Sequence, residues 1–126
     1  MQLELRIAIG RGEVGEETVQ RRVMYIENKS SGVSGGEAHI GWVSFSKTGR
    51  SLYYAGHTFQ SLQGRGFKAN YIDVETREVF WISGPRRDGV DRLYGERVPV
   101  PVDADAREHY WVEIRGIPER RNHPFA

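Results

Sequence analysis

The residues richest in chemistry lie between positions 38 and 72. This window contains no Asp or Glu, and it holds Lys47, Arg50, Arg65 and Lys68 with His39 and His57. Trp42, Phe45, Tyr53, Tyr54, Phe59, Phe67 and Tyr71 are interleaved with them. Cations hold phosphate oxygens and aromatic faces stack bases, so the pattern suits a single-strand or nucleotide site. The remainder of the chain has 14 basic residues against all 17 acidic ones, so a formal net charge of +1 conceals a polarised sequence. The same residues also fit the core hairpin of a β-domain, because aromatics favour strands in any case.

Two further segments could contribute cations. Gly64-Arg65-Gly66-Phe67-Lys68 sets two of them beside a permissive backbone whose N–H groups could cradle a phosphate, or it is a solvated turn. Its likeness to an RNA-binding RNP1 motif ends after three positions, at Lys68-Ala69-Asn70. In the 84–95 segment Arg86, Arg87 and Arg92 face Asp88 and Asp91 in sequence. Either the charges close on each other, or Arg86 and Arg87 project at a ligand while Asp91 orients Arg92. The phosphate-binding candidates are therefore Lys47, Arg50, Arg65, Lys68, Arg86, Arg87 and Arg92. Tyr54, Phe59 and Phe67 are the stacking candidates, with His57 and Asn70 to read polar edges.

Catalytic signatures are weak. His57 has Ser61 four residues on, and Asp73 could approach it in space, but a Ser-His-Asp triad is defined by geometry. No Gly-x-Ser-x-Gly elbow is present. His57 is better read as a polar anchor in a ligand pocket, and no catalytic residue is assigned. His109 and Glu113 share a helical face, yet there is no His-Glu-x-x-His motif and no cysteine, so no zinc site is expected. Glu13, Glu16 and Glu17 would repel a phosphate from Gly10-Arg11-Gly12, and no cofactor is expected.

The elements that must position these groups are mostly strands. Alternation predicts strands over 2–9, 21–28, 37–46, 51–55, 67–74 and 78–83, with a short edge strand over 97–102. Ile40 and Trp42 should point one way from their strand, and Val43 and Phe45 the other. Lys47-Thr48-Gly49-Arg50 and Glu75-Thr76-Arg77 read as turns. Residues 10–20, 29–36, 56–66 and 84–95 read as loops. One helix follows, capped by Asp103 or Asp105, with Tyr110, Trp111 and Ile114 as its apolar stripe; Gly116 and Pro118 end it. Short strands followed by one helix predict a mainly β fold. The expected form is a small antiparallel barrel or strongly curved sheet, SH3- or OB-like in style, of six to eight strands with one C-terminal helix.

A length of 126 residues predicts a single domain. Residues 1–23 are an extra strand or N-terminal extension in this reading, and 119–126 a flexible tail. The absence of cysteine and of an apolar membrane-spanning run points to a cytoplasmic, bacterial protein without membrane association.

The words Phe45-Ser46-Lys47-Thr48-Gly49, Phe59-Gln60-Ser61-Leu62, Gly64-Arg65-Gly66-Phe67-Lys68-Ala69-Asn70-Tyr71, Trp81-Ile82-Ser83-Gly84 and Asp91-Arg92-Leu93-Tyr94 carry a resemblance over about Met24 to Glu119. As a set, the stretch resembles a family of small bacterial proteins of unknown function. Members often carry the label 1-deoxyxylulose-5-phosphate synthase. A thiamine-diphosphate enzyme needs a large two-domain cofactor site and a Gly-Asp-Gly motif, and this chain has neither. The resemblance supplies a family and no mechanism. The residues favour a non-enzymatic binding module for single-stranded nucleic acid or a nucleotide-like anion. The alternatives are a protein-interaction module, as a homodimer or with another partner, and a small enzyme with a pocket near His57.

Overall fold

Six strands close into an antiparallel barrel in which each strand pairs with its sequence neighbours and the last returns to the first. The computed structural model describes residues 18–30, 37–66, 68–92 and 98–126. The strands are β1 (Thr18–Asn28), β2 (Ala38–Ser46), β3 (Ser51–Tyr54), β4 (His57–Ser61), β5 (Tyr71–Asp73) and β6 (Val79–Ser83). Closure comes from β1 pairing β6, with Tyr25 opposite Ser83 and Asn28 opposite Phe80.

Alternation along the strands feeds two cores. Met24, Ile26, Val43, Leu52, Phe59 and Ile82 fill the barrel, with Phe45, Tyr54, Tyr71 and Phe80 packed on them. Val23, Tyr25, Ala38 and Ile40 point the other way and are covered by Val100, Val102, Ala106, Tyr110 and Trp111. As the period-two pattern of β2 requires, Ile40 and Trp42 belong to the outer core and Val43 and Phe45 to the inner one.

The outer core exists because a C-terminal helical segment lies across β1 and β2. It opens with a tight turn, Ala104–Ala106, and widens over His109–Ile114, where Arg115 N–H donates to Tyr110 C=O. This wide winding keeps both Tyr110 and Trp111 fully buried. Gly116, at φ 67°, ends the segment in the left-handed region that glycine adopts without strain. The expected carboxylate cap is not made. Asp103 precedes the first turn without a side-chain capping bond, and its Oδ2 instead accepts from Tyr54.

Other departures have local causes. β1 begins at Thr18, inside the expected 10–20 loop. β4 falls inside the expected 56–66 loop, because a two-residue turn suffices to start it. Ala55 and Gly56, at φ 51° and 82°, make that turn and set Tyr54 opposite His57. β5 is shorter than the expected 67–74 strand, since Lys68 turns to φ 59° before it. Of the expected 97–102 edge strand, Pro101 and Val102 make isolated bridges, with Phe125 and Ile40. The tail is docked rather than loose: Ala126 and Val100 exchange backbone bonds, and Val102 N–H donates to Pro124 C=O at 2.8 Å. The expected strand over 2–9, most of the 29–36 loop, Phe67 and residues 93–97 lie outside the described residues.

Candidate functional site

The meander places successive turns at alternate ends of the barrel. The β2–β3 turn and the β4–β5 loop share one end; the Ala55–Gly56 turn and the 74–78 turn share the other. Lys47 and Arg50 stand on the first turn and Arg65 and Lys68 on the loop beside it. Ser61 N–H donates to Arg50 C=O at 2.8 Å, and Tyr71 Oη to Gly49 C=O at 3.4 Å, which ties the two segments together. Lys47, Arg50 and Arg65 are exposed.

The remaining expected site residues are elsewhere. Arg86 closes on Asp88 through two bonds of 2.9 and 2.8 Å, which holds the Asp88 carboxyl well below its usual range. Arg87 is exposed, and its carbonyl accepts from Arg115 Nε. Arg92 folds against β1, where its side chain is 9% exposed and 3.3 Å from Glu27. Glu27 is itself buried, with Lys29 at 3.0 Å and Tyr25 donating at 2.7 Å. Phe59 is 2% exposed and meets Phe80 edge-to-face inside the barrel, so it cannot stack a base. The side-chain amide of Asn70 is committed to the backbone of Ile82 and cannot read a ligand edge. Tyr54 and His57 stand at the end opposite the four cations.

That opposite end is open. A cavity of about 250 Å³ has a floor of Ile26, Phe59 and Phe80. Its walls and rim are Asn28, Glu37, His39, Tyr54, Ala55, His57, Asp73 and Glu78. The alternation that sends Phe59 inward also sends His57 inward, two residues earlier and at the mouth. Phe59 is paired with Asp73, so His57 meets that carboxylate diagonally across two strands. His57 Nδ1 lies 2.8 Å from Asp73 Oδ2.

Asp73 is built to hold that ring. Its Oδ1 accepts from Glu75 and Thr76 N–H groups at 2.9 and 3.2 Å, the turn that follows β5. Its side chain is 3% exposed, whereas that of His57 is 47% exposed. Burial alone would raise the Asp73 pKa; the two backbone donors and His57 outweigh it and lower it. Asp73 therefore stays ionised and can only accept, which puts a ring proton on Nδ1; in the neutral imidazole Nε2 is then an acceptor, and in the imidazolium a donor.

The second wall is organised by Asp103. Tyr54 Oη donates to its Oδ2 at 2.7 Å, and His39 Nδ1 lies 4.0 Å from its Oδ1. His39 Nε2 is 3.5 Å from Glu37. Burial first, then the bond to Asp103, keeps the Tyr54 phenol protonated far above its usual range. Glu37, His39, Glu78 and Asp103 thus join a site that sequence patterns did not assemble. Only the inward position of His39 on β2 hinted at it.

No triad forms. Ser61 is four residues from His57 on the same strand, about 13 Å at ordinary strand rise, and its Oγ accepts from Gln63 N–H. Among the described residues no cluster of three metal-ligating side chains occurs, and no helix is long and apolar enough to cross a membrane.

No family model, curated protein or solved structure matches this chain.

Proposed function

We propose that this protein is a non-enzymatic binding barrel that receives a small ligand in the open end around His57. The pairing of His57 with Asp73 carries the reading. A buried, fully hydrogen-bonded carboxylate fixes an imidazole that is half exposed on the wall of a cavity. Small-molecule sites combine an apolar floor with a few oriented polar groups, as Phe59 and Phe80 do here with His57 and Tyr54. At about 250 Å³ the cavity falls below the roughly 300–1,000 Å³ of drug-sized sites, so it suits a single ring or a short chain with its head group. The lack of cysteine fits a cytoplasmic setting. Over about Met24 to Glu119 the chain resembles a small bacterial family, a grouping that brings no mechanism.

The test is a fragment screen read by amide chemical shifts. Binders should move Glu37–His39, Ala55–Thr58 and Asp73–Glu78 together, and His57→Ala should weaken them. Binders that shift only other regions, or none at all, would defeat the reading.

The distribution of charge supports a second reading, an anion or single-strand site at the opposite end. Its observation is that Lys47, Arg50, Arg65 and Lys68 share that end, within a stretch free of Asp and Glu. Phe59 is in the core and Tyr54 at the other end, so this surface would hold phosphates without those stacking partners. Fluorescence anisotropy of labelled single-stranded RNA and DNA tests it. Binding should weaken steeply with salt.

A further inference from the structure

We infer that the ligand of the His57 cavity is a small organic cation, an amine or amidine head on an apolar body; this rests on the pocket reading above. Among the described residues, three acidic side chains, Glu37, Asp73 and Glu78, line the cavity, and no Lys or Arg does. A fourth carboxylate, Asp103, stands behind Tyr54 and His39. The chain as a whole carries a formal +1 charge, so the acidic mouth is local sorting rather than average composition. The neighbours of Asp73 keep its charge in place, since its backbone donors and His57 favour the ionised form.

Geometry adds to the sign of charge. A concave mouth with low-dielectric walls focuses the field of its carboxylates. Beneath it lie the rings of Phe59 and Phe80, 4.9 Å apart and edge-to-face, and aromatic faces attract cations. A cation with an apolar body would place its body against Phe80 at the cavity floor, with buried Ile26 and Phe59 beneath, and its head toward Glu37 and Glu78. In the neutral ring with its proton on Nδ1, His57 Nε2 would take one N–H of that head. An anion would meet the carboxylates of Glu37, Asp73 and Glu78.

Three probes of similar size separate charge from shape: benzamidine, benzyl alcohol and benzoate, each titrated into the isotope-labelled full chain. Benzamidine should shift the mouth residues and bind on the order of tenfold tighter than benzyl alcohol, with benzoate weaker than both. Glu37 and Glu78 are exposed, so the Glu37→Gln/Glu78→Gln variant should stay folded. It should lose most of the preference for benzamidine while keeping the affinity for benzyl alcohol. Equal binding of benzamidine and benzyl alcohol at the mouth, or a preference for benzoate, would overturn the cation and leave the pocket standing. No shift at the mouth with any probe would overturn both.

Discussion

The side-chain amide of Asn70 makes both backbone hydrogen bonds of Ile82. Its Oδ1 accepts from Ile82 N–H and its Nδ2 donates to Ile82 C=O, each at 2.8 Å. The backbone of Asn70 meanwhile donates to Phe80 C=O and accepts from Leu62 N–H, so one residue joins β6 to the loop that leaves β4. Asn70→Leu should cost about 2–4 kcal/mol, because it removes two bonds and strands polar groups of a buried residue. Urea unfolding measures this; a loss within 0.5 kcal/mol, the usual range for a surface change, would show that the clamp is dispensable.

Asp73→Ala should cost about 2–3 kcal/mol near neutral pH, since the turn after β5 and the anchor of His57 go together. The folded carboxyl has a lowered pKa. Its contribution is therefore complete above the unfolded value of about 3.9 and is lost as pH falls through the folded value. The gap between wild type and Asp73→Ala should narrow on acidification below about pH 4. A gap that widens there would contradict the assignment of charge.

Gly41 leaves the space in which Tyr54 and Asp103 meet: a Cβ there would collide with Asp103 Oδ2 and come within 2.8 Å of Tyr54 Cε1. Gly41→Ala should destabilise by about 1–3 kcal/mol. If the damage runs through the Tyr54–Asp103 bond, combining it with Tyr54→Phe should cost clearly less than the two separate losses added. Simple additivity would place the clash elsewhere.

Deleting residues 121–126 strips Val100 and Val102 of their N–H acceptors, Ala126 and Pro124, and Trp111 Nε1 of the His123 carbonyl. A loss of about 2–4 kcal/mol is expected, with exposure of Trp111 seen as a red-shifted emission. Unchanged stability and emission would mean that the tail is ornamental.

Changing Lys47, Arg50 and Arg65 to Gln should alter stability by less than about 0.5 kcal/mol, as these are exposed turn residues. Any salt-dependent binding of single strands should fall by on the order of tenfold or more. Binding that survives intact would move nucleic acid away from this end.

The inner and outer faces of β2, the turns at 47–50 and 75–77, and the aromatic helical stripe were legible, because alternation and turn residues report directly on burial. β4 was not. His57-Thr58-Phe59-Gln60-Ser61 has one large apolar residue, and the glycines on either side mimic a loop. The docking of the tail escaped for a related reason: it is made by backbone groups, whatever the charges of Arg120 and Arg121 suggest. The acid-free window did mark Lys47, Arg50, Arg65 and Lys68 as neighbours in sequence, and the meander brings their segments to one end. It did not show that Phe59 serves the core, Asn70 the backbone and Arg92 a buried ion pair. Those fates depend on strand order and register. The same register brought together His57 and Asp73, a juxtaposition sequence spacing left open.

Closing the barrel has a consequence for how copies of this protein meet. Every strand from β2 to β6 has a ladder partner on both sides, although β2 meets β3 only at Ser44 and Phe45 and its Ile40 is bridged instead to Val102. β1 is longer than its partner β6, and pairing between them begins only at Tyr25. Among the described residues, the stretch before Tyr25 has its ladder partner in β2 alone. Arg21 and Arg22, both exposed, stand on that overhang. Charge along a strand margin discourages strand-to-strand growth. Neutralising both should favour strand-to-strand association at that margin, read as concentration-dependent light scattering.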